Sequence, residues 1–141
     1  MIYCLGTFKE YVPLKEEERN CLLRIAERLK DSIPCTSCKY CIAGCPKHLN
    51  IPMLIDAYND MKFNLDSSLM TSIQIEALDP SKLPSNCIKC GKCTYICPQK
   101  INVPTVLENL NILLDKMPKW ADVCKKREEE TKKIKLEVDK K

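Results

Sequence analysis

The sequence predicts an all-α fold built from two similar halves, and three observations support this. Apolar residues recur at helical spacing, whereas no convincing alternation of apolar and polar residues marks a strand. Residues 35–59 overlay residues 87–111 without gaps at a constant offset of 52. The string CPKHLNIP at 45–52 answers CPQKINVP at 97–104. We therefore expect a duplication with pseudo-twofold symmetry.

The first helix is predicted from about Lys15 to Lys30, with an apolar stripe of Leu22, Ile25, Ala26 and Leu29. A helix from about Pro52 and its repeat partner from about Pro104 each follow a Cys-Pro pair by a few residues. Proline suits the first helical turn, where no amide hydrogen is needed. The apolar faces of these two helices are Leu54, Ile55, Tyr58 and Met61 in the first, and Val106, Leu107, Leu110, Leu113, Leu114 and Met117 in the second.

Between the repeats, the pattern predicts a helix from Ser67 to Leu78 that is capped by Ser67 or Ser68. Its inward side chains are expected to be Leu69, Met70, Ile73 and Ala77. Two prolines and two serines in residues 79–86 indicate a connector. From Lys125 to Lys141 the chain is charged almost end to end, which favours a solvated or frayed tail over an interaction helix.

The composition excludes several classes of protein. With 141 residues, 45% of them apolar and 30% charged, the chain has the size and balance of one globular domain. No stretch approaches the roughly 20 apolar residues that cross a bilayer, and Met1 to Gly6 lack the pattern of a signal peptide. A formal charge of +4 is weak for a nucleic-acid binder. We therefore expect a cytoplasmic protein with no membrane span and no nucleic-acid partner.

Eleven cysteines are the most unusual feature of the composition. Disulfides are disfavoured because the number of thiols is odd and no export signal is apparent. Eight of the cysteines form two runs with the same spacing, CxxCxxCxxxCP. The runs are Cys35, Cys38, Cys41 and Cys45, and Cys87, Cys90, Cys93 and Cys97. Such regular spacing in a cytosolic protein indicates metal binding.

The spacing within each run favours an iron-sulfur cluster over a single ion. Three cysteines at i, i+3 and i+6 allow one loop to cap three corners of a cubane of four irons and four sulfides. Zinc can also take four thiolates, but its sites usually pair two separated CxxC motifs around one ion. Two 4Fe-4S clusters are therefore the main hypothesis, with zinc and disulfides as the alternatives.

The residues near the runs suit such clusters. Apolar neighbours would limit the access of water, which is one control on redox potential. These neighbours are Ile33, Ile42, Leu49 and Ile51 in the first run, and Ile88, Ile96, Ile101 and Val103 in the second. Gly44 and Gly91 are expected where the backbone turns tightly or approaches sulfide. Two oxidised clusters would bring about four negative charges with their thiolates, which offsets the formal charge of +4.

No role in metal binding or electron relay is predicted for the other reactive side chains. Cys4, Cys21 and Cys124 have no partner at metal-binding spacing and are expected to be ordinary thiols. We interpret His48 as a surface residue or a neighbour of the ligands, and Tyr40 and Tyr95 as packing residues rather than electron relays.

The cysteine runs resemble those of bacterial two-cluster ferredoxins, in which the last cysteine of each run ligates the other cluster. This resemblance implies one cluster held by Cys35, Cys38, Cys41 and Cys97, and another held by Cys87, Cys90, Cys93 and Cys45. The spacer differs, because 41 residues with helical patterns separate Cys45 from Cys87, where those ferredoxins have a short, strand-rich link. The chain is therefore more similar to the alpha-helical ferredoxin fold, also found in iron-sulfur subunits of the succinate dehydrogenase and heterodisulfide reductase types.

A further resemblance covers most of the chain, from about Thr7 to Leu114. The chain is similar to the C-terminal portion of bacterial aldo-keto reductases that carry a 4Fe-4S extension. The matching positions are Phe8, Pro13-Leu14, Glu16 to Glu18, the helix to Leu29, Ile33 to Thr36 and the strings at 45–52 and 97–99. The catalytic barrel of that family would precede Met1 and needs about 200 residues. We therefore expect no catalytic site in this chain, which would be a component of an oxidoreductase.

Together these observations predict three segments: residues 1–33, an N-terminal segment whose helix packs on the cluster domain; residues 34–117, a two-cluster ferredoxin domain; and residues 118–141, a charged tail. The predicted function is electron transfer between two 4Fe-4S clusters and a redox partner protein. The alternative is the C-terminal part of an aldo-keto reductase that acts with a separate NAD(P)-dependent barrel.

Overall fold

The computed structural model describes residues 12–63 and 68–138. The chain divides into two compact units, Met1–Ser32 and Ile33–Lys141. Within the described ranges the regular structure is helical and contains no strand, so the predicted all-α fold is confirmed. No helix in these ranges is both long and apolar enough to cross a bilayer.

The first unit contains the helix α1 (Glu16–Leu29), close to its predicted bounds. Three glutamates in its first turn stabilise the helix, because their negative charges lie at the positive end of the helix dipole. Glu18 also accepts a hydrogen bond from the Lys15 N–H at 2.9 Å. The predicted apolar stripe is exposed, with Leu22 at 53% and Leu29 at 51%. Its packing on the cluster domain stays a prediction. Cys4, Thr7 and Phe8 lie outside the described residues.

The described part of the second unit is organised around pairs of repeat-related helices. These are α2 (Tyr40–Ala43), α3 (Ile51–Phe63), α4 (Ser68–Glu76), α5 (Lys92–Ile96), α6 (Val103–Asp115) and α7 (Trp120–Val138). The 3-10 turns Pro80–Lys82 and Pro84–Asn86 connect α4 to α5. Helix α3 packs on its repeat partner α6, and α2 packs on its partner α5. Leu54 of α3 and Leu110 of α6 are fully buried, and each such burial stabilises the fold by about 1.5–3 kcal/mol.

The two repeats also agree in backbone conformation. Among the described residues, positive φ angles occur in three pairs that are 52 residues apart: Ser37 and Lys89 (52° and 54°), Lys39 and Gly91 (64° and 74°), and His48 and Lys100 (50° and 53°). The left-handed conformation costs a non-glycine residue about 1–2 kcal/mol. Because these residues lie at the same distances from the cysteines in both halves, the repeat in the sequence is also a repeat in the structure.

Helix α4 buries a different face from the predicted one. Met70 is 61% exposed, and Ala77 is also exposed. Leu69 and Ile73 are only half-buried, so the predicted inward set is wrong. The buried side chains are Ser68, Thr71, Ser72 and Ile75.

Hydrogen bonds explain this difference. The Thr71 hydroxyl donates to Asp60 Oδ2 on α3, and the Ser72 hydroxyl donates to the carbonyl of Leu69 at 2.8 Å. Small polar side chains with such partners can be buried at little cost. The suggested cap Ser67 lies outside the described residues.

The charged segment after residue 117 is a regular helix of 19 residues, α7, rather than a frayed tail. Its first amide, Trp120 N–H, donates to Glu76 Oε2 at 3.2 Å. The side chains of residues 125–135 are exposed, so the prediction of a solvated segment is confirmed for these residues.

Candidate metal centres

Two cavities of matching size lie where α3 and α6 begin. The first has an empty volume of about 350 Å³ and is lined by Cys35, Cys38, Cys41 and Cys97. The second has an empty volume of about 340 Å³ and is lined by Cys45, Cys87, Cys90 and Cys93. Each cavity thus has three cysteines from one run and one from the other. This is the grouping that the resemblance to two-cluster ferredoxins implies, while the role of these cysteines as ligands stays a prediction.

Matched turns connect the last cysteine of each run to the helix that follows it. The carbonyl of Cys45 accepts a hydrogen bond from His48 N–H at 2.9 Å, and that of Cys97 accepts one from Lys100 N–H at 3.0 Å. His48 and Lys100 are left-handed, which turns the chain sharply before α3 and α6. Each helix then begins with proline in its first turn, as predicted.

The apolar lining follows the same crossed arrangement. Leu49, Ile51 and Ile88 line the second cavity, and Ile101 and Val103 line the first. These five were predicted as neighbours of clusters. The other three, Ile33, Ile42 and Ile96, are not among the lining residues.

The sequence analysis missed four further lining residues from the first turns of α3 and α6. They are Pro52 and Ile55 in the first cavity, and Pro104 and Leu107 in the second. The offset of 52 pairs Pro52 with Pro104 and Ile55 with Leu107, and this pairing was a signal that the sequence contained.

Burial of two cysteines changes their acid-base behaviour. Burial raises the pKa of the Cys41 thiol to about 11, and repulsion from Cys35, Cys38 and Cys93 adds to the shift. Burial also raises the pKa of Cys93, with a contribution from Cys87 and Cys90. Cys41 and Cys93 line different cavities, and the helices that carry them, α2 and α5, pack on each other. Metal binding would favour the thiolate form of these two side chains, because a thiol that ligates a metal is deprotonated.

The donor set of each cavity fits an iron-sulfur cluster. Four thiols line each cavity, and a 4Fe-4S cluster takes one thiolate for each of its four irons. Among the described residues, no group of three Cys, His, Asp or Glu side chains was found that could hold a single metal ion. The described cysteines are free thiols, not disulfides, and an all-thiolate set is the donor chemistry of iron-sulfur clusters.

The cysteines differ in exposure in the same way in both halves. Cys38 and Cys90, the second of each run, are exposed, whereas Cys93 is buried and Cys41 is half-buried. Gly91, beside Cys90, has a φ of 74°, which glycine adopts without strain. Gly44 has a φ of −85°, so the predicted tight turn does not require glycine there.

The remaining candidates have the following positions. Cys21 is exposed and Cys124 half-buried, and neither is among the residues that line the cavities. Tyr40 lines the first cavity, whereas Tyr95 is 96% exposed and so does not pack as predicted. His48 is exposed, as predicted.

Within the described residues the fold is all-α, which is consistent with a ferredoxin-like 4Fe-4S domain. Residues 34–101 match the family model described as a 4Fe-4S dicluster domain. The chain is also 30% identical, over 109 residues, to an uncharacterized iron-sulfur protein of Methanococcus maripaludis; the match covers 70% of this chain and 22% of the relative. The chain thus spans about a fifth of the length of that curated relative. No solved structure matched the chain.

Proposed function

We propose that this chain transfers single electrons through two 4Fe-4S clusters with crossed ligands. Cys35, Cys38, Cys41 and Cys97 would hold one cluster, and Cys87, Cys90, Cys93 and Cys45 the other. The observation that carries the proposal is the pair of similar cavities, each lined by four thiols drawn from both halves of the duplication. The match of residues 34–101 to a dicluster domain supports it.

A 4Fe-4S cluster, when bound, supplies one-electron oxidation and reduction. The chain's own residues provide thiolates and exclude water, because Ile55 and Leu107 close the cavities with side chains that are 1% exposed. Cys41 and Cys93 lie on α2 and α5, which pack on each other and so bring the two sites together. The exposed Cys38 and Cys90 give each site an edge near solvent. Both features suit exchange of electrons within the domain and with a partner. The proposal includes a cytoplasmic location, where thiols stay reduced.

The test is chemical analysis of anaerobically purified protein. We expect about eight irons and eight sulfides per chain, as two 4Fe-4S clusters require. Electron paramagnetic resonance of the reduced protein should give the signal of two interacting spins. Zinc without iron would contradict the proposal, and four irons per chain would contradict the second cluster.

A second candidate is that the chain is the electron-transfer part of a longer oxidoreductase. The observation that favours it is that the Methanococcus maripaludis relative matches over only 22% of its length. From the resemblance to the C-terminal extension of aldo-keto reductases, we infer that the catalytic part would be an NAD(P)-dependent barrel. Co-purification with a barrel protein that passes electrons from NAD(P)H to the clusters would support this candidate. A reduced chain that exchanges electrons with carrier proteins but with no such barrel would contradict it.

A further inference from the structure

A groove adjoins the second cavity. It has an empty volume of about 550 Å³, and its lining includes Pro84, Cys87, Lys89, Pro104, Glu108 and Ile112. Cys87 and Pro104 also line the second cavity, so the groove lies beside that proposed cluster site.

The equivalent region of the first repeat is bridged by the chain itself. The Asn59 side chain accepts a hydrogen bond from Ile33 N–H at 2.8 Å and donates one to Ile33 O at 3.0 Å. The repeat partner of Asn59 is Asn111, which lines the open groove. Pro52 is buried in the first repeat, whereas its partner Pro104 is only half-buried. These hydrogen bonds and the buried proline close this region of the first repeat, whereas Pro104 stays partly exposed beside the groove.

Lysines outnumber acidic residues along the cysteine runs, although Asp56, Asp79 and Glu108 border these stretches and Glu108 pairs with Lys89. Residues 33–55 and 80–107 contain six lysines and no aspartate or glutamate. Lys89 and Lys92 are exposed on either side of Cys90. The lysines are Lys39, Lys47, Lys82, Lys89, Lys92 and Lys100.

The second repeat has a weak surface ion pair that a binding partner can replace. The Lys89–Glu108 ion pair at 2.8 Å has side chains that are 57% and 53% exposed, and such exposed pairs contribute about 0–1 kcal/mol. A carboxylate from another protein can therefore replace Glu108. Ile88 and Ile112 are 56% and 50% exposed, whereas the repeat partner of Ile112 is the acidic Asp60.

We propose that this groove is the docking site for an electron-transfer protein with an acidic face, and that electrons enter and leave the chain at the second cluster site. The inference rests on the proposed function. The step is a one-electron transfer between the second cluster and the partner's redox centre, in which no bond is made or broken. A partner's carboxylates would contact Lys89 and Lys92, and its apolar side chains would contact Ile112.

The test uses the full chain with its clusters, reduced and mixed in a stopped-flow instrument with one of two oxidised one-electron acceptors. Rubredoxin is a small acidic acceptor and cytochrome c is a basic one. We expect the rate with rubredoxin to fall about ten-fold as ionic strength rises from about 0.02 to 0.3 M, because salt screens attraction between opposite charges. The rate with cytochrome c should not fall.

Lys89→Gln and Lys92→Gln should each slow the reaction with rubredoxin about three- to ten-fold at low salt. Ile112→Asp, which copies Asp60 of the first repeat, should also slow it. Two matched controls change the same charge elsewhere: Lys39→Gln beside the exposed Cys38, and Lys125→Gln on α7. Both should stay within about two-fold of the parent.

The outcomes separate the alternatives. Equal slowing by Lys39→Gln and Lys89→Gln would overturn the assignment to the second site. If the lysines only offset the charge of the clusters, each variant would change the rates with both acceptors in the same direction, which would overturn docking. A chain that holds both clusters but reacts with rubredoxin independently of salt would overturn this inference and leave the proposed function intact. A chain without iron would overturn both.

Discussion

The two repeats share a backbone but differ in their side chains. Lys39 and Gly91 occupy the same left-handed position, with φ of 64° and 74°, although only glycine adopts it without strain. Asn59 bridges the backbone of Ile33, whereas Asn111 lines an open groove. The comparison teaches that the two repeats keep the same backbone path around their cysteines. The side chains on that path differ, so the region that Asn59 bridges in the first repeat is a groove in the second.

The largest expected effect comes from the cysteines that cross between the halves. Cys97→Ser and Cys45→Ser should each remove about half of the iron, because each would take one ligand from a different cluster. Cys38→Ala combined with Cys97→Ser should lose no more iron than either change alone. Cys38→Ala combined with Cys45→Ser should lose nearly all of it. Iron analysis of anaerobically purified variants measures this.

Cys21→Ser is the control for these variants, since Cys21 is exposed on α1 and lies outside both cavities. It should keep the iron content of the parent. Crossed ligation would be refuted if Cys38 and Cys45 behaved as members of one site.

The next effect concerns the buried side chains that close the cavities. Ile55→Ala and Leu107→Ala should each destabilise the folded protein by about 2–5 kcal/mol, because each leaves a void in a packed core. Anaerobic unfolding in guanidinium, followed by circular dichroism, measures the free energy. Leu23→Ala, at a side chain that is 56% exposed, should change it by less than about 0.5 kcal/mol. A similar loss of unfolding free energy at all three positions would contradict the placement of Ile55 and Leu107 in the buried walls of the cavities.

The two related asparagines should differ in their contribution to stability. Asn59→Ala removes two hydrogen bonds to Ile33 and leaves partly buried backbone groups unpaired, at a cost of about 1–3 kcal/mol. Asn111→Ala should cost less than about 0.5 kcal/mol. The same unfolding experiment applies, and equal costs would mean that the two regions are equally closed.

The smallest effect should have opposite signs at two glycines. Gly91→Ala should cost about 1 kcal/mol, because an alanine there must adopt a φ of 74°. Gly44→Ala should stabilise by about 0.4–1 kcal/mol, because its φ of −85° suits alanine. A Cβ atom at either position meets nothing within 4 Å, so only the backbone differs. Thermal unfolding under anaerobic conditions should resolve the two signs.

Much of this arrangement could be predicted from the sequence because two signals are local. Proline after each Cys-Pro string predicts the starts of α3 and α6, and the CxxCxxCxxxCP spacing predicts the cysteines that line the cavities. The inward face of α4 could not be predicted, because Thr71 depends on its partner Asp60 on another helix. The groove was also inaccessible to sequence reasoning, since it arises from the packing of α6 on the connector at Pro84–Asn86.

The crossing of the last cysteine has a consequence for how such a domain can arise. One repeat alone offers three thiols to its own cavity and holds the fourth where it cannot use it. Two copies related by a twofold axis would complete each other, as in a closed homodimer. The present chain has the arrangement of such a dimer with its subunits fused end to end. If the two proposed clusters are bound, a protein cut between residues 45 and 87 should therefore remain a tightly associated pair of fragments.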